Sequence, residues 1–202
     1  MRALLILDVQ NDFLPGGPLA VPRGDEVIPV INELMDQFSL VVATQDWHPA
    51  NHGSFATQHG REPGQKVVLN GRDQVLWPVH CVQNTSGAAL AASLRRKPIA
   101  QIVRKGTDPN VDSYSAFYDN ARAHSTGLND YFRREKIKQV YLVGLATDYC
   151  ILWSALDAID LGFEVYVILD ACRGIDLHPG DIQAAFSQMR SVGVKLISLS
   201  QV

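Results

Sequence analysis

The chain has few cysteines and no long apolar run, and both shortages narrow what it can be. Its 202 residues include three cysteines, an odd number with no CxxC pair. A disulfide framework needs paired cysteines, so this content favours a reducing cytoplasm. No apolar stretch approaches the ~20 residues of a membrane span, and the apolar run after Arg2 is too short for a signal peptide. We therefore expect a cytoplasmic protein with no membrane partner.

Strong charge and nucleotide-binding glycine motifs are also missing. A net charge of −3 gives no electrostatic reason to expect nucleic acid as a partner. The loop after the first apolar run contains no GxGxxG, which argues against a dinucleotide-binding module. Hydrophobic content is 47% and charged content 19%, ordinary values for a globular protein with one sizeable core. The sequence predicts a single domain over residues 1–202 and leaves the oligomeric state open.

Short apolar runs alternate with amphipathic segments along the chain. Strands are predicted at residues 3–9, 40–44, 99–104, 139–143, 164–169 and 194–199. Helices are predicted at residues 25–38, 86–95, 113–119, 127–136, 151–161 and 179–192. This alternation indicates an α/β fold: a doubly wound, six-stranded, mainly parallel sheet with helices on both faces.

Residues 45–85 show almost no periodicity. They nevertheless contain four of the six histidines and two of the three tryptophans, a poor composition for a disordered segment. A segment of this length without regular structure inside a compact domain usually carries function. We therefore expect part of the functional site here.

Reactive side chains stand where the predicted strands end. Asp8 ends the first strand, Asp46 follows the second, Lys105 the third and Cys150 the fourth. The carboxyl ends of parallel strands share one edge of the sheet, where ligands bind. There Cys150 can attack as a nucleophile while Asp8 exchanges protons and Lys105 holds the carboxylate. Each residue alone also fits a structural role: Cys150 as a core residue, Asp8 as a helix cap and Lys105 as part of a surface ion pair.

Cys150 follows a sharp turn between a buried strand and a predicted helix. Thr147 is a suitable N-cap residue, which places Cys150 near the third helical position. Unpaired backbone N–H groups at a helix start favour negative charge, so this position predicts a stabilised thiolate. The competing interpretation is a buried structural cysteine.

A second set of residues has the spacing of metal ligands. In an extended segment, residues two apart point the same way, so Asp46 and His48 can share one ion. His80 can complete the set, and His52 is an additional candidate. Two imidazoles and one carboxylate leave open coordination positions, as in Zn²⁺ sites or non-haem Fe²⁺ and Mn²⁺ sites. The alternative for Asp46 and His48 is a hydrogen-bonded turn.

Five segments together resemble the nicotinamidases, a branch of the isochorismatase-like cysteine hydrolases. The resemblance extends nearly end to end through the segment 170–174. The segments are Leu7-Asp8-Val9-Gln10-Asn11-Asp12-Phe13, Thr44-Gln45-Asp46-Trp47-His48-Pro49-Ala50-Asn51-His52, Trp77-Pro78-Val79-His80-Cys81, Arg104-Lys105-Gly106 and Gly144-Leu145-Ala146-Thr147-Asp148-Tyr149-Cys150.

The resemblance implies deamidation of nicotinamide, and of pyrazinamide, in NAD salvage. It makes Cys150 the nucleophile, Asp8 the general base and acid, and Lys105 their electrostatic partner. It further implies that Phe13 and Trp77 bind the ring, and that the N–H groups of Ala146 and Cys150 form an oxyanion hole next to a cis peptide bond at Leu145–Ala146. It also implies that Asp46, His48 and His80 bind one divalent ion, with Zn²⁺ as first choice and Fe²⁺ or Mn²⁺ as alternatives.

Other functions remain open from the sequence. Another amide or ureido hydrolase of the same superfamily would share Asp8, Lys105 and Cys150 but would have no reason to keep the metal-binding set. A metal-storage protein would not need Cys150 at a helix start. Isochorismatases proper lack the nucleophilic cysteine, which argues against that activity here.

Overall fold

The computed structural model describes all residues from Met1 to Val202. Its eight strands are β1 (Arg2–Leu7), β2 (Leu40–Asp46), β3 (Lys66–Leu69), β4 (Arg72–Val75), β5 (Gln101–Lys105), β6 (Gln139–Leu145), β7 (Glu164–Arg173) and β8 (Lys195–Ile197). Its four α-helices are α1 (Val27–Leu34), α2 (Leu128–Arg134), α3 (Leu152–Asp160) and α4 (Asp181–Ser191). None of these helices combines the length and the apolar character needed to cross a membrane.

Six strands form one parallel sheet in the order β5-β2-β1-β6-β7-β8. The chain first builds outward from β1 through β2 to β5, and then returns to the other side of β1 to add β6. The carboxyl ends of β1 and β6 therefore flank the point where the strand order reverses, which is where such sheets bind ligands. The predicted six-stranded doubly wound sheet is confirmed.

The sheet separates two hydrophobic clusters of 24 buried residues each. Alternate residues of β1 face opposite sides, because side chains in a strand alternate: Leu5 packs in one cluster and Leu4 in the other. Residues of α2, α3 and α4 cover the first side, and residues of α1 cover the second. Both faces of β1 are buried, which explains why its sequence is a continuous apolar run.

Two predicted helices are wrong. Residues 86–95 form isolated turns, because several of their backbone groups bond the loop after β1 and cannot continue a helix: Asn11 N–H donates to Ala89 O at 3.0 Å, and Ala91 N–H donates to Val9 O at 2.8 Å. Residues 113–119 also contain no helix. There side chains take the backbone partners, as where Ser113 N–H donates to Asp112 Oδ1 at 2.7 Å.

The long segment 45–85 contains regular structure that its periodicity does not indicate. Strands β3 and β4 pair as an antiparallel hairpin across Asn70-Gly71, whose φ angles are 47° and 78°. Asn-Gly is a favoured pair for a two-residue hairpin turn, because both residues tolerate positive φ. That dipeptide was the available signal for the hairpin.

Candidate active site

Lys105, the last residue of β5, is the centre of a buried polar cluster. Its ammonium nitrogen lies 2.9 Å from Asp8 Oδ2, 2.5 Å from Asp46 Oδ1, 2.9 Å from the Ser113 carbonyl oxygen and 3.4 Å from Cys150 Sγ. The side chains of Lys105 and Asp8 are fully buried. The structure thus brings together the four residues that the sequence places at strand ends.

The ammonium group of Lys105 has fewer hydrogens to donate than it has neighbouring acceptor atoms. An ammonium has three hydrogens to donate, and hydrogen-bond geometry is met toward Asp46, Ser113 and Cys150. Asp8 Oδ2, the fourth neighbour, accepts no hydrogen bond. This oxygen is therefore left open to receive a proton.

Burial and charge act differently on the two carboxyl groups beside Lys105 and on Lys105 itself. Burial raises the pKa of Asp8, and the Asp46 carboxylate adds to the rise while Lys105 opposes it. Burial also acts to raise the pKa of Asp46, but Lys105 outweighs it and holds that pKa below its usual range. The pKa of Lys105 is well above its usual value because the two carboxylates outweigh its burial. Lys105 and Asp46 are thus a charged pair, and Asp8 is the group suited to exchanging a proton.

The local structure at Cys150 corrects two expectations. Thr147–Ile151 forms a turn of π-helix before α3, and no side chain caps its start. Thr147 is therefore not an N-cap. Burial, followed by the nearby Asp8 and Asp46 carboxylates, raises the pKa of Cys150 well above its usual value, although Lys105 opposes the rise. The raised pKa favours the protonated thiol, so forming a thiolate needs a base that removes its proton.

The turn before Cys150 contains the expected cis peptide bond between Leu145 and Ala146. The carboxylate of Asp148 accepts the backbone N–H groups of Ile175 at 2.9 Å and Asp176 at 2.7 Å. These bonds attach the 174–176 loop to the turn beside the thiol.

A small cavity of about 30 Å³ opens onto Cys150. Phe13 and Trp77, both almost completely buried, lie in its wall together with Ala146. The residues that line it are Phe13, Leu19, Asp46, Trp77, His80, Asp112, Tyr114, Ala146, Tyr149, Cys150 and Ile175. A mostly apolar wall with four aromatic side chains beside a thiol suits a flat ring that carries a carbonyl group.

Asp46, His48 and His80 form a donor set that fits a divalent ion. Asp46 Oδ2 lies 3.6 Å from His48 Nε2 and 3.9 Å from His80 Nε2, and the ligand atoms lie within 4.8 Å of one another. The opposite ring nitrogens donate to backbone carbonyls, His48 Nδ1 to Gly106 O and His80 Nδ1 to Pro78 O, each at 2.8 Å. Each Nε2 therefore presents a lone pair, and that of His48 is buried without a partner. Burial lowers the pKa of His80 to about 4, which keeps its imidazole neutral as a ligand must be.

His52 is placed differently. Its Nδ1 accepts the Ser54 N–H at 3.3 Å and lies 2.7 Å from Ser54 Oγ. A nitrogen that accepts an N–H carries no proton, so the ring proton is on Nε2, which is buried without a hydrogen-bond partner. The side chain groups with His48 and Asp112 rather than with the set around Asp46.

The structure adds site residues that were not found by looking for reactive side chains at the ends of predicted strands. Tyr114 Oη accepts hydrogen bonds from Trp77 Nε1 at 3.2 Å and from Gln74 Nε2 at 3.1 Å, which fixes the indole in the cavity wall. Ser113 contributes only its carbonyl oxygen to Lys105, a role that no side-chain pattern can reveal. Thr44 lies on β2 and donates a hydrogen bond to Asp8. Its hydroxyl near the end of a predicted strand was a sequence feature that could have indicated this role.

A comparison with protein families assigns the chain. The isochorismatase domain matches residues 2–201. The chain therefore belongs to the isochorismatase family.

Within this family the chain is similar to nicotinamidases. The nicotinamidase of Escherichia coli (strain K12) is 50% identical over 203 residues, which cover 98% of this chain and 95% of the relative. The structure of a nicotinamidase and pyrazinamidase from Acinetobacter baumanii superposes with a TM-score of 0.96 at 46% identity, covering 99% of this chain and 97% of that one. The pyrazinamidase of Pyrococcus horikoshii, solved in complex with zinc, gives a TM-score of 0.80 at 40% identity, covering 98% of each chain.

Proposed function

We propose that this protein is a nicotinamidase, an amidohydrolase that converts nicotinamide to nicotinate and ammonia in NAD salvage and also accepts pyrazinamide. The observation that carries the proposal is the contact of Lys105 with Asp8, Asp46 and Cys150 beside an aromatic cavity. The 50% identity to a nicotinamidase over almost the whole chain supports the same activity.

In the first half of the reaction, Cys150 attacks the amide carbonyl carbon. The thiol proton passes to Asp8 Oδ2, and the electron pair left on sulfur forms the bond to carbon. The carbonyl oxygen becomes an oxyanion, which the N–H groups of Ala146 and Cys150 stabilise. The C–N bond then breaks, the nitrogen takes the proton from Asp8, and ammonia leaves a thioester on Cys150.

In the second half, water replaces ammonia. Asp8 removes a proton from the water as its oxygen bonds the thioester carbon, and this proton then returns to the departing sulfur. Nicotinic acid and the free thiol result, and the acid loses its proton to water to give nicotinate, so each turnover restores the starting protein. Lys105 supports both halves, because its ammonium can bond the sulfur whenever Asp8 holds the proton.

Phe13 and Trp77 would hold the pyridine ring against Cys150, since both line the cavity that contains the thiol. Asp46, His48 and His80 would hold one divalent ion, which we propose to be Zn²⁺, with Fe²⁺ or Mn²⁺ as alternatives. When bound, the ion supplies an open coordination position for the ring nitrogen, directly or through water. Asp46 belongs to both groups, with Oδ1 on Lys105 and Oδ2 toward the histidines.

An ammonia-release assay tests the proposed substrate. Purified protein is compared on nicotinamide, pyrazinamide, ureido compounds and isochorismate, with release of product followed separately for the last. We expect turnover of the two aromatic amides. Turnover of ureido compounds alone would instead identify another hydrolase of the same superfamily, and turnover of isochorismate alone would contradict cysteine-dependent amide hydrolysis.

Benzamide tests the role of the metal-binding set, because it has the same amide and ring size without a ring nitrogen. We expect metal-loaded protein to hydrolyse nicotinamide much faster than benzamide. Chelation should reduce nicotinamide turnover strongly and narrow the gap between the two amides, while circular dichroism confirms that the fold persists. Equal turnover of both amides by metal-loaded protein would contradict capture of the ring nitrogen.

We also propose a single domain over residues 1–202 and a cytoplasmic location. One sheet supplies strands to both hydrophobic clusters, which supports the single domain. The three cysteines are buried and unpaired, which suits a reducing compartment. Proteolysis under native conditions would test the first statement by producing a stable fragment if a second folding unit exists.

A further inference from the structure

Thr44 is a fully buried hydroxyl next to the carboxylate of Asp8. The parallel register pairs Ile6 with Ala43, so Thr44 lies beside the end of β1. There β1 stops at Leu7, and Asp8 leaves the sheet with φ at 51°. Because Asp8 departs from the strand geometry at this point, its backbone N–H needs a partner other than a regular ladder bond.

Two hydrogen bonds join Thr44 to Asp8. The Asp8 N–H donates to Thr44 Oγ1 at 3.1 Å, and the Thr44 hydroxyl donates its own proton to Asp8 Oδ1 at 2.5 Å. A hydroxyl has one proton and can also accept, so a single side chain satisfies both the backbone and the carboxylate. Neither bond is exposed to bulk water, because both residues have no exposed surface.

The pair of bonds distinguishes the two oxygens of Asp8. Oδ1 is held by Thr44, whereas Oδ2 lies 2.9 Å from Lys105 Nζ and accepts no hydrogen bond. The same Lys105 nitrogen lies 3.4 Å from Cys150 Sγ. Without Thr44, the carboxylate could rotate about its Cβ–Cγ bond and exchange the two oxygens, or could turn away from the thiol.

We propose that Thr44 is a positioning residue that directs proton transfer to Asp8 Oδ2 by holding Oδ1. The inference rests on the proposed cysteine hydrolase function. In the step concerned, the S–H bond of Cys150 breaks, an O–H bond forms at Oδ2, and the sulfur keeps the electron pair for attack on the amide carbon. Thr44 itself exchanges no proton and does not line the substrate cavity.

The test compares Thr44→Val, which keeps the shape but removes the hydroxyl, with Thr44→Ser, which keeps the hydroxyl. A hydrogen bond to a charged group is worth enough that its loss should lower kcat for nicotinamide roughly 10- to 100-fold in Thr44→Val. KM should change less than about threefold, because substrate contacts are intact. Thr44→Ser should recover kcat to within about fivefold of wild type. If Thr44→Val does not fold, Thr44→Ala replaces it in the same comparison.

Ser154→Ala is the matched control for loss of a buried hydroxyl. Ser154 is fully buried and accepts the Ala116 N–H at 2.9 Å, but it lies outside the cavity, and its hydroxyl makes no hydrogen bond to the groups around Lys105. It should lower the melting temperature without changing kcat. An equal fall of kcat in Ser154→Ala and Thr44→Val would show a general effect of destabilisation and overturn the inference, as would unchanged kcat in Thr44→Val.

Alkylation of Cys150 by iodoacetamide separates the inference from the proposed substrate. The reaction requires removal of the thiol proton, after which the sulfur displaces iodide from the reagent, and no nicotinamide takes part. Its rate should therefore fall in Thr44→Val and recover in Thr44→Ser. If wild type fails to hydrolyse nicotinamide while this pattern holds, the proposed function is wrong and the role of Thr44 stands. If nicotinamide is hydrolysed but alkylation is equal in all variants, Thr44 does not direct the proton transfer.

Discussion

Two lysine–carboxylate clusters stand on the same sheet, one buried and one exposed. Lys105, at the end of β5, meets Asp8 and Asp46 with its side chain fully buried. Lys195, at the start of β8, pairs with Glu164 at the start of β7, and both side chains remain about half exposed, at 52% and 41%. The contact chemistry is the same, but only the first cluster is removed from water.

The difference teaches what burial adds to an ion pair. Around Lys105, burial acts to raise the pKa of both carboxyl groups; it prevails at Asp8, whereas Lys105 holds the pKa of Asp46 low. At the surface, the Lys195 hydrogen bond lowers the pKa of Glu164 to about 2, but water screens the pair. A buried cluster can therefore perform proton chemistry, while the surface pair only contributes modestly to stability.

Cys150→Ala should produce the largest effect of any single change. Removing a nucleophile typically lowers the rate by roughly 10⁴-fold or more. The variant should melt close to wild type, because the thiol is one side chain in a wall that otherwise remains. Ammonia release and circular dichroism measure the two properties. Activity above about a tenth of wild type would mean that the buried cluster does not act through a thiol.

Asp8→Asn should be the next most damaging change. The amide keeps the shape of the side chain but cannot accept a proton, so turnover should fall by about 10²- to 10⁴-fold, the usual range for general acid–base catalysis. Its matched change in the surface cluster is Glu164→Gln, which should leave turnover unaltered. If Asp8→Asn kept the wild-type turnover rate and pH–rate profile, Asp8 would have only a structural role.

Lys105→Met and Lys195→Met compare the stability of the two clusters directly. Loss of Lys105 leaves two buried carboxylates without their cation, which should cost about 3–5 kcal/mol in the free energy of unfolding. Loss of Lys195 leaves Glu164 in contact with water, so the denaturation midpoint should move very little. Urea denaturation at neutral pH measures both variants. Similar losses would show that burial does not distinguish the clusters.

The exposed pair of Lys195 and Glu164 should contribute only a small pH-dependent part to the stability of the fold. Because the pKa of Glu164 in the folded protein, about 2, lies below its ordinary value of 4.5, the carboxylate stabilises the fold above pH 4.5. This contribution is lost as pH falls from 4.5 through 2. The stability difference between wild type and Glu164→Gln should therefore be constant near neutrality and shrink in that window. Glu62→Gln, at an exposed carboxylate, is the control; equal behaviour of the two variants would contradict the pairing.

Sequence patterns succeeded wherever one residue type meets one local requirement. The apolar run of β1 predicts a strand buried on both faces, and the strand-end positions of Asp8, Lys105 and Cys150 predict their meeting at one edge. Asn70-Gly71 would also have revealed the hairpin of β3 and β4, since it supplies the positive φ angles that a tight turn needs.

Patterns failed where distant partners decide the local structure. Residues 86–95 have helical periodicity, yet their backbone groups bond the loop after β1. The position of Cys150 suggested a thiolate, but burial and two nearby carboxylates determine its pKa. Both outcomes depend on contacts between segments that lie far apart along the chain.

The sequence by itself determined the sheet, the strand-end residues and the donor types of Asp46, His48 and His80, because these follow from apolar periodicity and side-chain chemistry. Only the tertiary structure decided that Thr44 holds one oxygen of Asp8, that the Ser113 carbonyl binds Lys105, and that Asp46 is shared between lysine and histidines. The physical reason is that hydrogen-bond partners and desolvation depend on distances of a few ångströms across the fold, and these distances are set when the strands align.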